Sequence, residues 1–352
     1  MVRAGPQAQR NILSLLFLVL SSRSTRMGVC KLISERMTTR MFWKCVGVLL
    51  ALTFAIFYLS KYKQNSRISP VPVTTCDHLT NIFKTKKTQI TKPDLPQVTP
   101  IFPEMKTDKC IETVKWKFLE NFSHEEENGF KHCIRKNEHP EELFRSYFER
   151  LNPNITSEYF SFLKETPDVV VVEIGGYTGQ LLKKLVPITG AKAYAVVEPV
   201  PSFFDKLNMH IDMLNLYSVV KTYNFGLGKT YEEMSVKIQG VGTSIFHILL
   251  SGKTETIKIV NVVDFFIQIG VGCNTVDLLT INCEGCEFDV LETLLSTTLI
   301  EKFDHIQFQP HHTVSVPGNY ICRHCRLRQL LARTHTIEYE YPHIWEAWRR
   351  NK

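Results

Sequence analysis

The stretch Asp168-Val169-Val170-Val171-Val172-Glu173-Ile174-Gly175-Gly176-Tyr177-Thr178-Gly179 decides the fold class. Its first seven residues are a β-branched run without polar alternation, the pattern of a parallel strand buried on both faces. The glycines that follow let the backbone turn tightly and approach a ligand that a Cβ would exclude. Working outward, Ala193–Val197, 219–223, Val276–Ile281 and 305–308 read as four more strands. Helix-length segments at 180–186, 202–216 and 288–295 separate most of them, while 224–260 is more β-like, with strands expected at 234–238 and 256–260. Alternating strands and helices predict an α/β fold with a doubly wound, mostly parallel sheet. Upstream, EELFRSYFERL (141–151) has helical periodicity, with Leu143, Phe144, Tyr147, Phe148 and Leu151 on one face.

The loop after the first strand reads E-x-G-G-Y-x-G. It is neither the G-x-G-x-x-G dinucleotide fingerprint nor a G-x-x-x-x-G-K-[ST] phosphate loop. Glu198 closes the second strand, 19 residues beyond Gly179, where a carboxylate can accept the hydroxyls of a ribose. A glycine turn and an acidic strand end without a phosphate cradle suit an adenosine ligand lacking a pyrophosphate, such as S-adenosylmethionine.

From about Asp168 to Trp345 the chain resembles the FkbM-type methyltransferases, a branch of the class I S-adenosylmethionine-dependent enzymes. VVVVEIGGYTG (169–179) is similar to the family's D-x-G-A-N-x-G cofactor loop, with Glu173 for Asp and Tyr177 for Asn. AYAVVEPVP (193–201), TYNFGLGK (222–229), GVGTSIF (240–246) and IVNVVDFF (259–266) follow in the family's order. Most specific is DLLTINCEGCEFDVLETL (277–294), similar to L-K-I-D-x-E-G-x-E-x-x-V-L, with Glu284, Gly285, Glu287, Val290 and Leu291 matching. The resemblance implies a Rossmann-like class I methyltransferase domain at 166–352. It places S-adenosylmethionine on Glu173, Gly175, Gly176, Tyr177, Gly179 and Glu198, with Asn224 and Phe225 near the adenine. It implies methylation of a hydroxyl oxygen on a glycan or small metabolite. The family's Lys and Asp are Thr280 and Asn282 here, so a fold retained for binding without turnover is the rival expectation.

Methyl transfer to a hydroxyl needs alignment and a base to take its proton. Glu284 is the first candidate, beside the reading that it only satisfies a helix N-terminus. His311 and His312 are alternatives, and Asn282 can orient a hydroxyl without acting as a base. Cys283-x-x-Cys286 and Cys322-x-x-Cys325, with His324 nearby, raise the question of zinc, but the 36-residue gap exceeds common structural spacings. Disulfides are the default in an oxidising lumen; one from the first pair to the second ranks above zinc, the pairing itself stays open, and no metal is assigned. Tyr339, Tyr341, Trp345 and Trp348 read as a last strand packing on the sheet, or as a platform for a sugar ring.

The remainder concerns compartment. The 352 residues suffice for about two domains. Of 42 Lys+Arg and 35 Asp+Glu, 17 and 5 fall within residues 1–109, leaving 25 and 30 for the rest. The body is therefore mildly acidic, which argues against a nucleic-acid partner. CVGVLLALTFAIFYL (45–59) lacks charge, and with Met41, Phe42 and Trp43 it approaches the roughly 17–20 residues that span a bilayer. Basic residues at 23, 26, 31, 36, 40 and 44, against 61, 63 and 67, favour a cytoplasmic N-terminus. Initiation at Met41 would give an anchor-first protein. Sequons at Asn121 and Asn154, and eight cysteines beyond the anchor, suit an oxidising lumen. The expectation is a single-pass type II protein of the endoplasmic reticulum or Golgi. It has a tail at 1–40, an anchor at 41–60, a Pro/Thr/Lys-rich stalk at 61–108, a helical extension at 109–165 and a lumenal body. A cytosol-facing body would instead carry free thiols and no glycans.

Overall fold

Val170–Ile174 forms β1, and all five of its residues are buried. Val170, Val172 and Ile174 join one hydrophobic cluster, while Val169 and Val171 join a second. A strand sends alternate side chains to opposite faces, so an unbroken valine run requires a packed layer on each side. The second cluster holds Leu182 and Leu185 of α3 (Gln180–Thr189) with Leu207 and Ile211 of α4 (Pro201–Met213). The first holds Phe265 and Phe266 of α5 (Val262–Gln268), Phe288 and Leu291 of α6 (Cys286–Leu295), and Leu327 and Leu330 of α7 (Tyr320–Leu331). Ahead of these come α1 (His124–Lys136) and α2 (Pro140–Phe148).

The computed structural model describes residue 76 and residues 98–102, 112–117, 119, 121–148, 160–240, 243–244, 252–312 and 318–351. The tail, the anchor, Asn154 and all of the stalk except residues 76 and 98–102 lie outside them. Among the described residues no helix is long and apolar enough to cross a membrane.

The main sheet has seven strands, in the order β3-β2-β1-β7-β8-β10-β9. β2 (Ala193–Val197), β3 (Val220–Tyr223), β7 (Val276–Ile281) and β8 (Phe303–Phe308) run parallel to β1 or to each other, and β10 (Trp345–Arg350) is antiparallel to β8 and β9 (His335–Tyr341). The expected strands thus form a Rossmann-like sheet, and the carboxy-terminal aromatics belong to a hairpin on its edge. Trp348 is buried there, as the last-strand reading requires. A small sheet of β4 (Gly226–Gly228), β6 (Thr254–Asn261) and β5 (Glu232–Lys237) accounts for the β-like interval.

Helix α1 falls within the expected helical extension, but no periodic run located it, though Ser123 and Glu126 form a reciprocal capping box at its start. Helix α2 matches the expected periodic run up to Phe148, yet none of its residues is buried. Its Phe144 and Phe148 stack on each other instead.

The structure decides the open pairing, and no bridge joins the two C-x-x-C pairs. Cys283 bonds to Cys286 within its own pair, while Cys322 bonds to Cys76 and Cys325 to Cys133. The cross-bridge fails because the two pairs sit on different elements: the first opens α6, and the second lies within α7 facing α1. Cys273 is disulfide-bonded as well. Among the described residues no His, Cys, Asp and Glu group is arranged to hold a metal ion.

Candidate functional site

The chain runs from β1 to β2 and β3 on one side of the sheet, and returns to β7 on the other. The loops leaving β1 and β7 therefore diverge at a topological switch point, where open α/β sheets bind ligands beyond the carboxyl ends of their strands. The two loops are in close contact, with the Asn282 amide donating to the Ile174 carbonyl at 2.9 Å. Gly175 has φ +90°, and a Cβ there would lie 2.0 Å from the Asn282 carbonyl oxygen. At Gly176 a Cβ would meet Val196 Cγ1 at 2.2 Å. Any side chain at either position would push the loop off the sheet.

Beside these loops opens a cleft of about 320 Å3. Ile174, Gly175 and Val197 face it from the main sheet, Met234 and Ile257 from the small sheet, and Cys283 from the β7 loop. Apolar walls with a few polar groups are the usual make-up of a small-molecule site.

Two carboxylates sit at the ends of β1 and β2. Glu173 is 3% exposed; burial pushes its carboxyl up to about 8, against the hydrogen bond donated by the Tyr194 hydroxyl at 2.6 Å, and the nearby Glu198 adds to the rise. Burial likewise pushes Glu198 up to about 7, although its oxygens accept the Val200 amide at 2.9 Å and the Tyr177 amide at 2.8 Å. Neither carboxylate has a cationic partner within ion-pair distance among the described residues. Glu198 is thus turned onto its own chain, leaving two of its roughly four lone-pair sites for a ligand.

A second acidic group surrounds the β7 loop. Glu284 has φ +54° and Gly285 φ +113°, and the Ser244 hydroxyl donates to the Glu284 carbonyl at 2.6 Å. The Glu284 carboxylate is partly exposed and makes an ion-pair contact of 3.3 Å with His311 Nε2. Behind His311 lies Glu287, fully buried, 3.2 Å from Nδ1. Glu287 also accepts the His311 amide and the Gly285 amide, each at 2.9 Å. Burial alone would lower the His311 imidazole; the Glu287 carboxylate, with Glu284 on the other side, raises it to about 10 instead. His311 is therefore protonated at neutral pH and cannot itself serve as the base. His312 goes the other way, lowered to about 4 by burial and by the His311 charge.

The structure brings Glu173, Gly175, Gly176, Tyr177, Gly179 and Glu198 together around one loop, and Asn282, Glu284 and His311 around the neighbouring one. Tyr177 turns its ring edge-on to Phe203 at 4.7 Å. Asn224 is exposed and donates to the Glu198 and Pro199 carbonyls. Phe225 is packed in the core against Tyr223 and Phe265, away from the cleft walls. Asn282 is exposed and Thr280 buried. Glu287 and Ser244 carry contacts the sequence reading did not assign. Glu287 was within the matched motif, but its partner His311 lies 24 residues on, a separation no local pattern reveals.

No protein-family profile matches the chain, and no curated protein matches it. Solved structures with a similar chain path include TrmK of M. capricolum in complex with S-adenosyl-homocysteine, at 13% identity and a TM-score of 0.32, covering 57% of this chain and 70% of that one. Magnesium protoporphyrin IX methyltransferase of Synechocystis PCC 6803 with bound SAM is similar at 8% identity and a TM-score of 0.32, covering 60% and 84%. A dimethyladenosine transferase of Plasmodium falciparum is similar at 13% identity and a TM-score of 0.31, covering 57% and 62%. Likeness at this level carries nothing about the activity of this chain.

Proposed function

We propose that this protein is an S-adenosylmethionine-dependent methyltransferase of the FkbM type, acting on a hydroxyl oxygen of a glycan or small metabolite. The observation that carries the reading is the pair Glu173 and Glu198. They are two buried carboxylates without a cation, at the foot of a glycine loop that tolerates no Cβ, at the switch point of the sheet. Perturbed acids at such a place favour a ligand that brings hydroxyls and an ammonium to them. When bound, S-adenosylmethionine supplies an electrophilic methyl group.

The chain's own residues do the rest. Gly175 and Gly176 admit the ligand to the backbone, and Glu198 offers its remaining lone pairs to ribose hydroxyls. Glu173, which burial keeps protonated near neutral pH, becomes the counter-charge of an ammonium as that cation arrives and lowers it. Glu284, His311 and Glu287 form one unit in contact. The unit accepts one proton at Glu284, its partly exposed member, while Glu287 fixes the imidazole from behind. A base so placed contributes about 10²–10⁴-fold.

The bridges among the described cysteines and the exposed Asn121 of the first sequon support a body in an oxidising compartment, tethered by residues 41–60 as a type II protein. Thr280 and Asn282 favour a second reading, a fold that binds cofactor without turnover. Calorimetric titration of the full chain with S-adenosylmethionine, repeated on Glu198→Ala, tests the first. Micromolar affinity lost in the variant is expected, and no binding by folded protein rejects it. Binding without methylation across hydroxyl acceptors selects the second.

A further inference from the structure

The geometry points to Cys283–Cys286 as a site of reversible thiol–disulfide exchange that takes a small dithiol through the cleft. This inference stands apart from the methyl-transfer reading. Both cysteines line the cleft and are half-buried. The four cysteines of the Cys76–Cys322 and Cys133–Cys325 bridges are all under 9% exposed. An attacking thiolate must reach a sulfur, so access separates the first bridge from these two. Cys273, bonded as well and half-buried, does not line the cleft, so position there separates it in turn.

The surroundings of the bridge supply the chemistry of exchange. Cys286 is the first residue of α6, a ten-residue helix whose N-terminal end favours a thiolate. Cys283 Sγ lies 3.7 Å from Glu287 Oε2, and the other oxygen of that carboxylate contacts His311. The bridge closes the turn that holds Glu284 and Gly285 at positive φ, so its opening frees a conformation that the Glu284 side chain disfavours.

One thiolate of the entering dithiol attacks Cys283 Sγ. The Cys283–Cys286 bond breaks, a mixed disulfide forms at Cys283, and Cys286 leaves as the thiolate at the helix end. The second thiol of the dithiol then attacks its own sulfur in the mixed disulfide and departs as a cyclic disulfide. Two electrons pass to the protein, and two protons end on Cys283 and Cys286. In reclosing, Glu287 takes the Cys283 proton and the Cys283 thiolate opens the oxidised dithiol to the mixed disulfide. Cys286, its proton lost to solvent, then attacks Cys283 Sγ, and the dithiol leaves reduced with both electrons and two protons.

The test uses the full chain in dithiothreitol buffers of graded reduced-to-oxidised ratio, with alkylation and peptide mass mapping of each cysteine and circular dichroism alongside. Cys283 and Cys286 are expected to become alkylated at least about tenfold faster than the two buried bridges, with the native spectrum retained. They are expected to reclose when the oxidised form is restored. In Glu287→Gln, reclosing is expected to slow about tenfold. Opening only together with the buried bridges, or only with loss of the native spectrum, overturns the proposal. An unchanged reclosing rate in folded Glu287→Gln overturns the role given to Glu287.

Discussion

Cys283-x-x-Cys286 and Cys322-x-x-Cys325 have the same spacing, yet one closes on itself beside the cleft while the other is divided between partners 246 and 192 residues away. The first begins a helix, so its two sulfurs meet across the turn. The second lies inside α7, where Cys325 meets Cys133 of α1 and Cys322 meets Cys76 of the expected stalk. Loop length separates their energetic roles. In the chain-entropy picture a bridge closing about 200 residues contributes about 5 kcal/mol, against about 2 kcal/mol for a four-residue loop. The outer bridges hold residue 76 of the expected stalk and helix α1 to the body; the inner one shapes a turn.

This contrast can be broken most directly at α7. Cys133→Ser with Cys325→Ser is expected to cost about 5 kcal/mol in urea unfolding. A loss no larger than that of the inner pair would erase the distinction. On the cleft side, stability rests on charge pairing instead. Glu287→Ala, which leaves protonated His311 buried beside Glu284 alone, is expected to cost about 3 kcal/mol or more by the same measurement. Cys283→Ser with Cys286→Ser is expected to cost only about 2 kcal/mol.

The acids beneath the glycine loop sharpen the comparison through pH. Glu173 and Glu198 titrate near 4.5 unfolded, but near 8 and 7 folded, so the folded state holds their protons more tightly. Their contribution is present at low pH and lost as pH rises from about 4.5 through 7 and 8. The slope is at most about 1.4 kcal/mol per pH unit for each group within its window. Thermal unfolding of Glu173→Gln between pH 5 and 8.5 should flatten that decline, and an unchanged slope would show that Glu173 titrates normally. The smallest effect belongs to α1, where Ser123→Ala removes the cap and is expected to cost about 1 kcal/mol. A larger loss would mean that the cap also holds Cys133 in place for its bridge.

The sheet was legible because burial on both faces leaves an unmistakable composition. The valine run of β1 and the apolar runs of β2 and β7 admit few other readings, and their order with the intervening helices gives the doubly wound layout. The loop glycines were legible as well, since a turn at φ +90° against a neighbouring carbonyl demands Gly175. Helix α1 had no place within the expected helical extension because its mean hydropathy is low and only two of its residues are buried.

By itself the sequence determined the layered α/β architecture, the place of the glycine loop and the acids that end β1 and β2, because these follow from local periodicity and backbone sterics. Only the tertiary structure decided which cysteines pair, that His311 stands between Glu284 and Glu287, and that Glu198 spends two lone pairs on its own backbone. Those outcomes depend on which elements the sheet order brings together across tens to hundreds of residues, and no local pattern encodes that distance.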